Sequence, residues 1–153
     1  MDQAVSLLES QLADDQEDSD LQLELAFGYL QKLGAANAYD KAKWALKADQ
    51  AFDGILAMDE NHWDARFSKA VSLSFWPPIL GKQPEAEKQF EILMDKQEQM
   101  VEQPEFTQTY VLLSNIYLQQ GRKEEALDVL NRGLSLFPGD TELHQRISDL
   151  EML

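Results

Sequence analysis

The chain carries few residues whose types and spacing could support chemistry. It has two histidines, His62 and His144, and no cysteine. The lack of cysteine excludes disulfides, thiolate metal ligands and thiol catalysis. The histidines are far apart in sequence, and neither belongs to a paired metal-ligand spacing. We interpret both as surface or helix-capping residues and predict no metal site.

Two other patterns partly resemble ligand-binding loops, but each lacks residues that its motif requires. Gly81-Lys82 is reminiscent of a phosphate-binding loop, but Trp76 stands where the first glycine is needed and Gln83 replaces the hydroxyl residue. The acidic run of residues 14–20 lacks the central glycine and terminal glutamate of a calcium loop, which favours a solvated helix junction. No Gly-x-Ser-x-Gly sequence marks a serine nucleophile. We therefore predict that the chain is not an enzyme and needs no cofactor.

The charge balance also excludes classes of partner. The 28 acidic and 13 basic residues give a formal net charge of -15, which repels phosphate backbones and anionic bilayers. Lys41, Lys43 and Lys47 share a stretch, as do Arg122 and Lys123, but both stretches have acidic neighbours and lack the interleaved aromatics of a nucleic-acid surface. Neither nucleic acid nor membrane is predicted as a partner.

Length and hydropathy favour one compact, water-soluble domain. With 153 residues and 44% apolar side chains, the chain has the size of a single domain. The first residues show no basic stretch followed by an apolar core, and no apolar run reaches the roughly 18 residues of a membrane-spanning helix. A cytoplasmic location is the expectation, and the absence of cysteine fits it.

The apolar spacing predicts helices throughout. Between about residues 105 and 137, apolar residues recur at intervals of three and four on both sides of Gly121, which indicates a helical hairpin with a left-handed glycine at its turn. Asp140 is a plausible N-cap for a further helix. Earlier in the chain, Asn61 is the expected cap of a helix running from about Trp63 to Phe75. No stretch alternates as a β-strand does.

Further helix starts follow from local signals. Ser19 with Gln22 forms a capping-box pattern, and Pro84 suits the first residue of another helix. A helix is expected to end near Met58, and paired prolines after Trp76 predict an extended loop.

The hairpin of residues 107–140 carries a recognisable pattern of large and small side chains. Its positions are Tyr110, Leu113, Ser114 and Tyr117 in the first helix, Gly121 in the turn, Ala126, Leu130 and Gly133 in the second helix, and Pro138 after it. This pattern, in a hairpin that recurs about every 34 residues, resembles the tetratricopeptide-repeat family. The resemblance implies an all-α fold, a right-handed superhelix of antiparallel helix pairs (a tetratricopeptide-like α-solenoid) with about three repeats and flanking helices.

The resemblance divides one tetratricopeptide-repeat domain, residues 1–153, into segments. These are a partnerless helix (1–15), a first repeat with an insertion (19–60), a second with a Trp-Pro-Pro loop (61–103), a third (104–140) and a capping helix (141–153). The insertion, around residues 34–41, adds either about two helical turns or a longer loop. In the second repeat, Arg66 and Lys69 stand where the family usually has large apolar residues.

In this family the first helices of successive repeats line a concave peptide-binding surface. Carried over by position, the candidates are Leu23, Phe27, Leu30, Phe67, Val71, Phe75, Val111, Asn115 and Leu118, with Gln31, Ser74 and Gln119 beside them. Most are apolar, so a clamp for an acidic C-terminus is not predicted. The expected partner is an apolar or amphipathic segment of another protein, with basic flanks favoured by the net charge.

Alternatives remain open for this surface. Phe27, Phe67 and Phe75 are either exposed to a partner or buried against inserted segments. Trp76 and Ile79 either form a lip of the groove or plug the repeat interface. The function predicted is a protein-interaction scaffold, and the alternative is a structural or self-associating module that uses the same surface or its end helices for homo-oligomerisation.

Overall fold

The computed structural model describes residues 2–153, which form eight α-helices and no strand within that range. The helices are α1 (Asp2–Asp14), α2 (Ser19–Ala35), α3 (Ala38–Met58), α4 (Trp63–Ser74), α5 (Gln83–Gln97), α6 (Thr107–Gln119), α7 (Lys123–Leu136) and α8 (Thr141–Glu151), with 3₁₀ turns at Pro78–Leu80 and Pro104–Phe106. The predicted all-α class is confirmed. The chain divides into two compact units, Met1–Ala86 and Glu87–Leu153.

In the first unit, α2 packs mainly on α3, with α1 against α2 and α4 against α3. The core of this unit includes Leu25, Tyr29, Phe52, Ile55 and Ala65. Ala26 and Ala48 are fully buried in the same core. Small residues at these positions let the helix backbones approach, and the aromatic and aliphatic side chains fill the adjoining space.

The insertion in the first unit is helical. Helix α2 continues to Ala35 and α3 begins at Ala38, so only a short connection separates two long helices. Asn37 starts α3: its side-chain oxygen accepts hydrogen bonds from the backbone N–H of Tyr39 (3.1 Å) and Asp40 (3.0 Å). Of the two alternatives predicted for residues 34–41, added helical turns are the one observed.

In the second unit, α6, α7 and α8 pack in sequence, α6 on α7 and α7 on α8. Gly121 lies in the turn between α6 and α7 with a φ of 76°, the left-handed conformation that the sequence predicted. Asp140 caps α8 by accepting a hydrogen bond from the N–H of Leu143 at 2.9 Å. Both predictions are confirmed.

Three predicted helix starts are displaced by one residue. Asp18 caps α2, since its carboxylate accepts from the N–H of Leu21 at 2.9 Å, and Ser19 is already helical. The ionised carboxylate is the stronger acceptor and also complements the positive helix end. Pro84 is the second residue of α5, which begins at Gln83.

The cap of α4 is His62 and not Asn61. The ring Nδ1 of His62 accepts from the N–H of Ala65 at 3.3 Å, whereas the N–H of Asn61 donates to the side chain of Asp59 at 2.9 Å. Because Asn61 belongs to the preceding turn, the next residue, His62, caps the helix.

One contact recurs in both units. The hydroxyl of Tyr29 on α2 donates to Glu9 on α1 at 2.7 Å, and the hydroxyl of Tyr117 on α6 donates to Glu91 on α5 at 2.6 Å. Burial, and then the neighbouring carboxylate, raises the pKa of each tyrosine. The tyrosine at the same position therefore links α2 to α1 and α6 to α5, as expected for two units built on one repeat pattern.

A close contact between α6 and α7 offers a test of this packing. A methyl group on Gly133 of α7 would lie 2.7 Å from the ring of Tyr110 on α6, whereas a methyl group on Gly34 of α2 meets nothing within 4 Å. We expect Gly133→Ala to lower the free energy of unfolding by about 1–3 kcal/mol through overpacking. Gly34→Ala is the matched control and should raise it by about 0.5–1 kcal/mol. Urea denaturation measures both, and equal effects would contradict the assigned contact.

Candidate peptide-binding groove

An apolar cavity of about 710 Å³ opens on the first unit, between α2, α3, α4 and the segment that follows α4. The lining residues are Phe27, Leu30 and Leu33 of α2, Ala38, Lys41, Ala42 and Ala45 of α3, Phe67, Ser68, Val71 and Ser72 of α4, and Phe75, Trp76, Pro77 and Leu80 after it. We call this cavity the groove. Its size is that of a pocket for several apolar side chains.

Five of the predicted peptide-binding residues meet in the groove: Phe27, Leu30, Phe67, Val71 and Phe75. They come from two helices and one helix end, at spacings of three and four residues along each helix. These five positions, which were carried over from the family resemblance, therefore line one cavity.

Leu23 and the three candidates on α6 lie elsewhere. Leu23 packs against the core of the first unit. In the second unit, Val111 is only 2% exposed, so its side chain is part of the interior. Asn115 accepts a hydrogen bond from Arg146 at 2.9 Å, and Leu118 lines a smaller cavity of about 130 Å³.

Aromatic contacts fix the side chains that form the groove walls. Phe27 meets the buried ring of Phe52 edge to face, with ring centroids 6.3 Å apart. Phe67 stacks on Trp63 at 4.6 Å. Phe27 still has 39% of its surface exposed, and Phe75, at the end of α4, has 83% exposed. Phe27 is therefore held at one side and open to solvent at the other. Of the three rings for which burial was an alternative, Phe27 and Phe75 are exposed and Phe67 is half-buried.

The Trp-Pro-Pro loop contributes one edge of the groove. Trp76 lines the groove and is half-buried, with the ammonium of Lys82 5.4 Å from its ring. Its carbonyl accepts a hydrogen bond from the side chain of Gln83 at 2.8 Å. Ile79 is 91% exposed and does not line the groove. Of the two alternatives for Ile79, the plug is therefore contradicted by its exposure, and Ile79 does not line the groove, whereas its neighbour Leu80 does.

Sequence reasoning missed the wall formed by α3. Ala38, Lys41 and Ala42 of α3, together with Leu33 near the end of α2, lie in or beside the inserted turns, for which the family pattern offers no equivalent positions. The sequence signal for this wall is the recurrence of small residues, Ala38, Ala42 and Ala45, at helical spacing. Their short side chains leave a shallow face on α3. Lys41 places one positive charge at the groove wall.

Helix α4 is held in position by a buried lysine. The ammonium of Lys69 lies 3.4 Å from Asp49 and 3.2 Å from Glu85, and it also bonds to Asp53. Burial by itself would lower the pKa of Lys69, but Asp53 and Asp49 outweigh it, so the pKa is raised. Burial raises the pKa of Asp49 despite the attraction of Lys69. The lysine that departs from the family pattern thus joins α4 to α3 and to the start of α5.

Arg66, the second departure from the pattern, is buried beside the turn before α4. Its guanidinium donates to the carbonyl of Glu60 at 3.0 Å. Burial lowers the pKa of this guanidinium, and Glu60 opposes the shift. Both cations on the buried side of α4 therefore contact oxygen atoms of neighbouring segments, and the opposite side of the helix keeps the apolar residues that face the groove.

Among the side chains of residues 3–153, no group of three histidine, aspartate or glutamate side chains is placed to hold a metal ion. No helix in the described part of the chain combines the length and apolar character needed to cross a membrane.

Comparison with known proteins agrees with the arrangement of helices. Residues 107–150 match the family model described as tetratricopeptide repeat. The predicted family resemblance is confirmed. No curated protein sequence matches the chain. The family match covers α6, α7 and α8, and it includes every position of the third predicted tetratricopeptide repeat from Thr107 onward.

Solved structures extend the likeness to the tetratricopeptide fold over the whole chain. A thermophilic tetratricopeptide-repeat protein of Thermus thermophilus superposes with a TM-score of 0.68 at 17% identity, over 98% of this chain and 72% of that one. MamA of Desulfovibrio magneticus RS-1 gives 0.68 at 17%, over 99% and 74%. A further MamA crystal structure gives 0.70 at 14%, over 97% and 75%. At these identities the likeness shows the fold alone.

The buried cluster behind α4 generates a prediction. Lys69→Met leaves Asp49 buried without its cation, while Asp53 and Glu85 remain partly hydrated. We expect the free energy of unfolding to fall by about 3 kcal/mol. Adding Asp49→Asn removes the stranded charge, so the double variant should lose less than the sum of the single losses. Urea denaturation of the four proteins measures this coupling, and strictly additive losses would show that the pair does not interact.

Proposed function

We propose that the chain is a protein-interaction scaffold that binds an apolar or amphipathic segment of a partner protein in the groove of its first unit. The observation that carries the proposal is the grouping of Phe27, Phe67, Val71 and Phe75 around one open apolar cavity. Tetratricopeptide arrays typically use such surfaces for binding and not for catalysis. The proposed binding residues are those predicted from the sequence that lie in the groove.

The exposure of these side chains supports an interaction surface. Phe75 is 83% exposed and Leu80 50% exposed at the rim, beside the half-buried Trp76. A contiguous apolar patch in water is unfavourable, and monomeric proteins rarely keep one that has no partner. Burying the exposed part of a single phenylalanine contributes about 1.5–3 kcal/mol. Two or three such anchors together contribute about 3–9 kcal/mol. Association entropy offsets a large part of this, so micromolar affinity requires further contacts from the rest of the segment.

The chemistry of the groove selects the kind of segment. Apart from Lys41, the walls offer apolar surface and the hydroxyls of Ser68 and Ser72. A segment that presents apolar side chains on one face, as an amphipathic helix does, would satisfy these walls. Basic residues flanking that face would be attracted by the net charge of -15.

Two exposed residues on the same loop give a sharp test. Phe75 lines the groove and Ile79 does not, yet both are more than 80% exposed. The purified chain is first used to select peptides from a displayed library, and the best peptide is then titrated against Phe75→Glu and Ile79→Glu. We expect Phe75→Glu to weaken binding by at least about tenfold and Ile79→Glu by less than about twofold. The charge change is the same, so only contact with the groove distinguishes the two variants.

Other results would redirect the assignment. If the two variants weakened peptide binding equally, the loop as a whole or its charge would govern binding, and the groove would not. Selection of no peptide, together with a mass that grows with protein concentration, would favour the alternative of a self-associating module. Circular dichroism of each variant checks that the helices remain intact.

A further inference from the structure

The apolar groove has a positive charge at one end. Lys41 of α3 lines the groove and is exposed to solvent. Its ammonium group forms no hydrogen bond or ion pair within the part of the chain that the structure describes. The adjacent carboxylate, Asp40, accepts a hydrogen bond from the side chain of Asn37 at 2.8 Å and belongs to the capped start of α3. Lys41 is therefore available to an acidic group of a ligand.

Asp64, in the first turn of α4, places a negative charge on the same groove. It precedes Phe67 by three residues and Val71 by seven, the spacing that keeps side chains on one face of a helix. Since Phe67 and Val71 line the groove, Asp64 extends their face by one turn. Its carboxylate is exposed and has no hydrogen-bond or ion-pair partner among the described residues.

The contacts of Lys69 show that the two charges lie at opposite ends of the groove. This lysine of α4 bonds to Asp49 and Asp53 of α3, so the two helices, which are joined by a short turn and run in opposite directions, are level at this point. Lys41 comes eight residues before Asp49, toward the end of α4, and Asp64 comes five residues before Lys69, toward its start. At a rise of about 1.5 Å per residue, the charges are about 20 Å apart along the helices, the length of about four helical turns.

We propose that the segment bound in the groove is an amphipathic helix of about four turns whose two ends carry opposite charges. An acidic side chain at one end pairs with Lys41, and a basic side chain at the other pairs with Asp64. The inference rests on the proposed function and specifies the charge pattern of the partner segment. Ion pairs at the rim of an apolar contact chiefly fix the register of the ligand and select among ligands.

The net charge of -15 alone would favour a different ligand, one that is basic at both ends. Exposed charges are screened over about 10 Å at 0.1 M ionic strength, so the distant carboxylates of the chain act weakly at the Lys41 end. An acidic side chain in contact with Lys41 is attracted at a much shorter distance. The preference for an acidic end therefore distinguishes recognition by the groove from general attraction to an acidic protein.

Three synthetic helical peptides with the same leucine face test this charge pattern. The first has glutamate at its N-terminal end and lysine at its C-terminal end, the second has lysine at both ends, and the third has glutamine at both ends. We expect the glutamate–lysine peptide to bind the full chain at least about threefold more tightly than the lysine–lysine peptide at about 50 mM salt. The difference should diminish at about 500 mM salt, because ion pairs are screened there. Fluorescence anisotropy of labelled peptides measures each affinity.

Substitutions at the two ends of the groove locate the effect. Lys41→Glu should reverse the preference, so that the lysine–lysine peptide binds more tightly. Lys43→Glu is the matched control, since Lys43 is also exposed on α3 but does not line the groove, and the preference should remain. Asp64→Asn should weaken binding of the glutamate–lysine peptide by about two- to threefold. Asp128→Asn, at an exposed position of α7, should leave it unchanged.

The glutamine-ended peptide separates this inference from the proposed function. If that peptide binds and Phe75→Glu abolishes its binding, the groove is the site. A lysine–lysine peptide that then binds as tightly as the glutamate–lysine peptide, or equal effects of Lys41→Glu and Lys43→Glu, would overturn the charge pattern and leave the groove intact. If the glutamine-ended peptide does not bind, or Phe75→Glu leaves its binding unchanged, the groove assignment fails and this inference fails with it.

Discussion

Fully buried small residues set how closely the helices of each pair can pack. At Gly133 the ring of Tyr110 occupies the space that a side chain would need, and Ala126 on the same helix has no exposed surface. In the first unit, Ala26 and Ala48 correspond to Ser114 and Ala126 of the second, and all four have no exposed surface. Because protein interiors are as dense as organic crystals, these contacts restrict the rotation of the paired helices about their axes. The direction of each remaining face, including the one that forms the groove, follows from that rotation.

The groove arises where the chain departs from the regular repeat. Helices α2 and α3 have 17 and 21 residues, against 13 and 14 in α6 and α7. The additional turns extend α3 at a rise of about 1.5 Å per residue, and Ala38, Lys41 and Ala42 within them become a wall. The Trp-Pro-Pro loop supplies another edge through Trp76, Pro77 and Leu80, because prolines directly after α4 cannot continue the helix. A regular repeat would have neither element.

The sequence predicted the features that depend on local chemistry. Gly121, Asp140 and the helical periodicity were sufficient for the turn, the cap and the class of fold. The displaced caps show where prediction ends: Asp18 and Ser19 are both good caps, and only the backbone geometry selects between them. The same limit explains Leu23, which shares a helical face with Phe27 but packs on the core of its unit. Spacing identifies a face, whereas the neighbouring helices decide how far that face is covered.

The cations show how poorly a net charge describes a surface. In the first unit, Lys69 is used in the interior to hold α4, and in the second Arg122 pairs with Glu87 and Glu125 while Arg132 pairs with Asp95 and Glu98. These salt bridges neutralise positive charge where the helices pack together. Lys32 reaches Trp44 from a different helix than Lys43 and Lys47. Helix packing, and not linear spacing alone, therefore brings these three lysines around one ring.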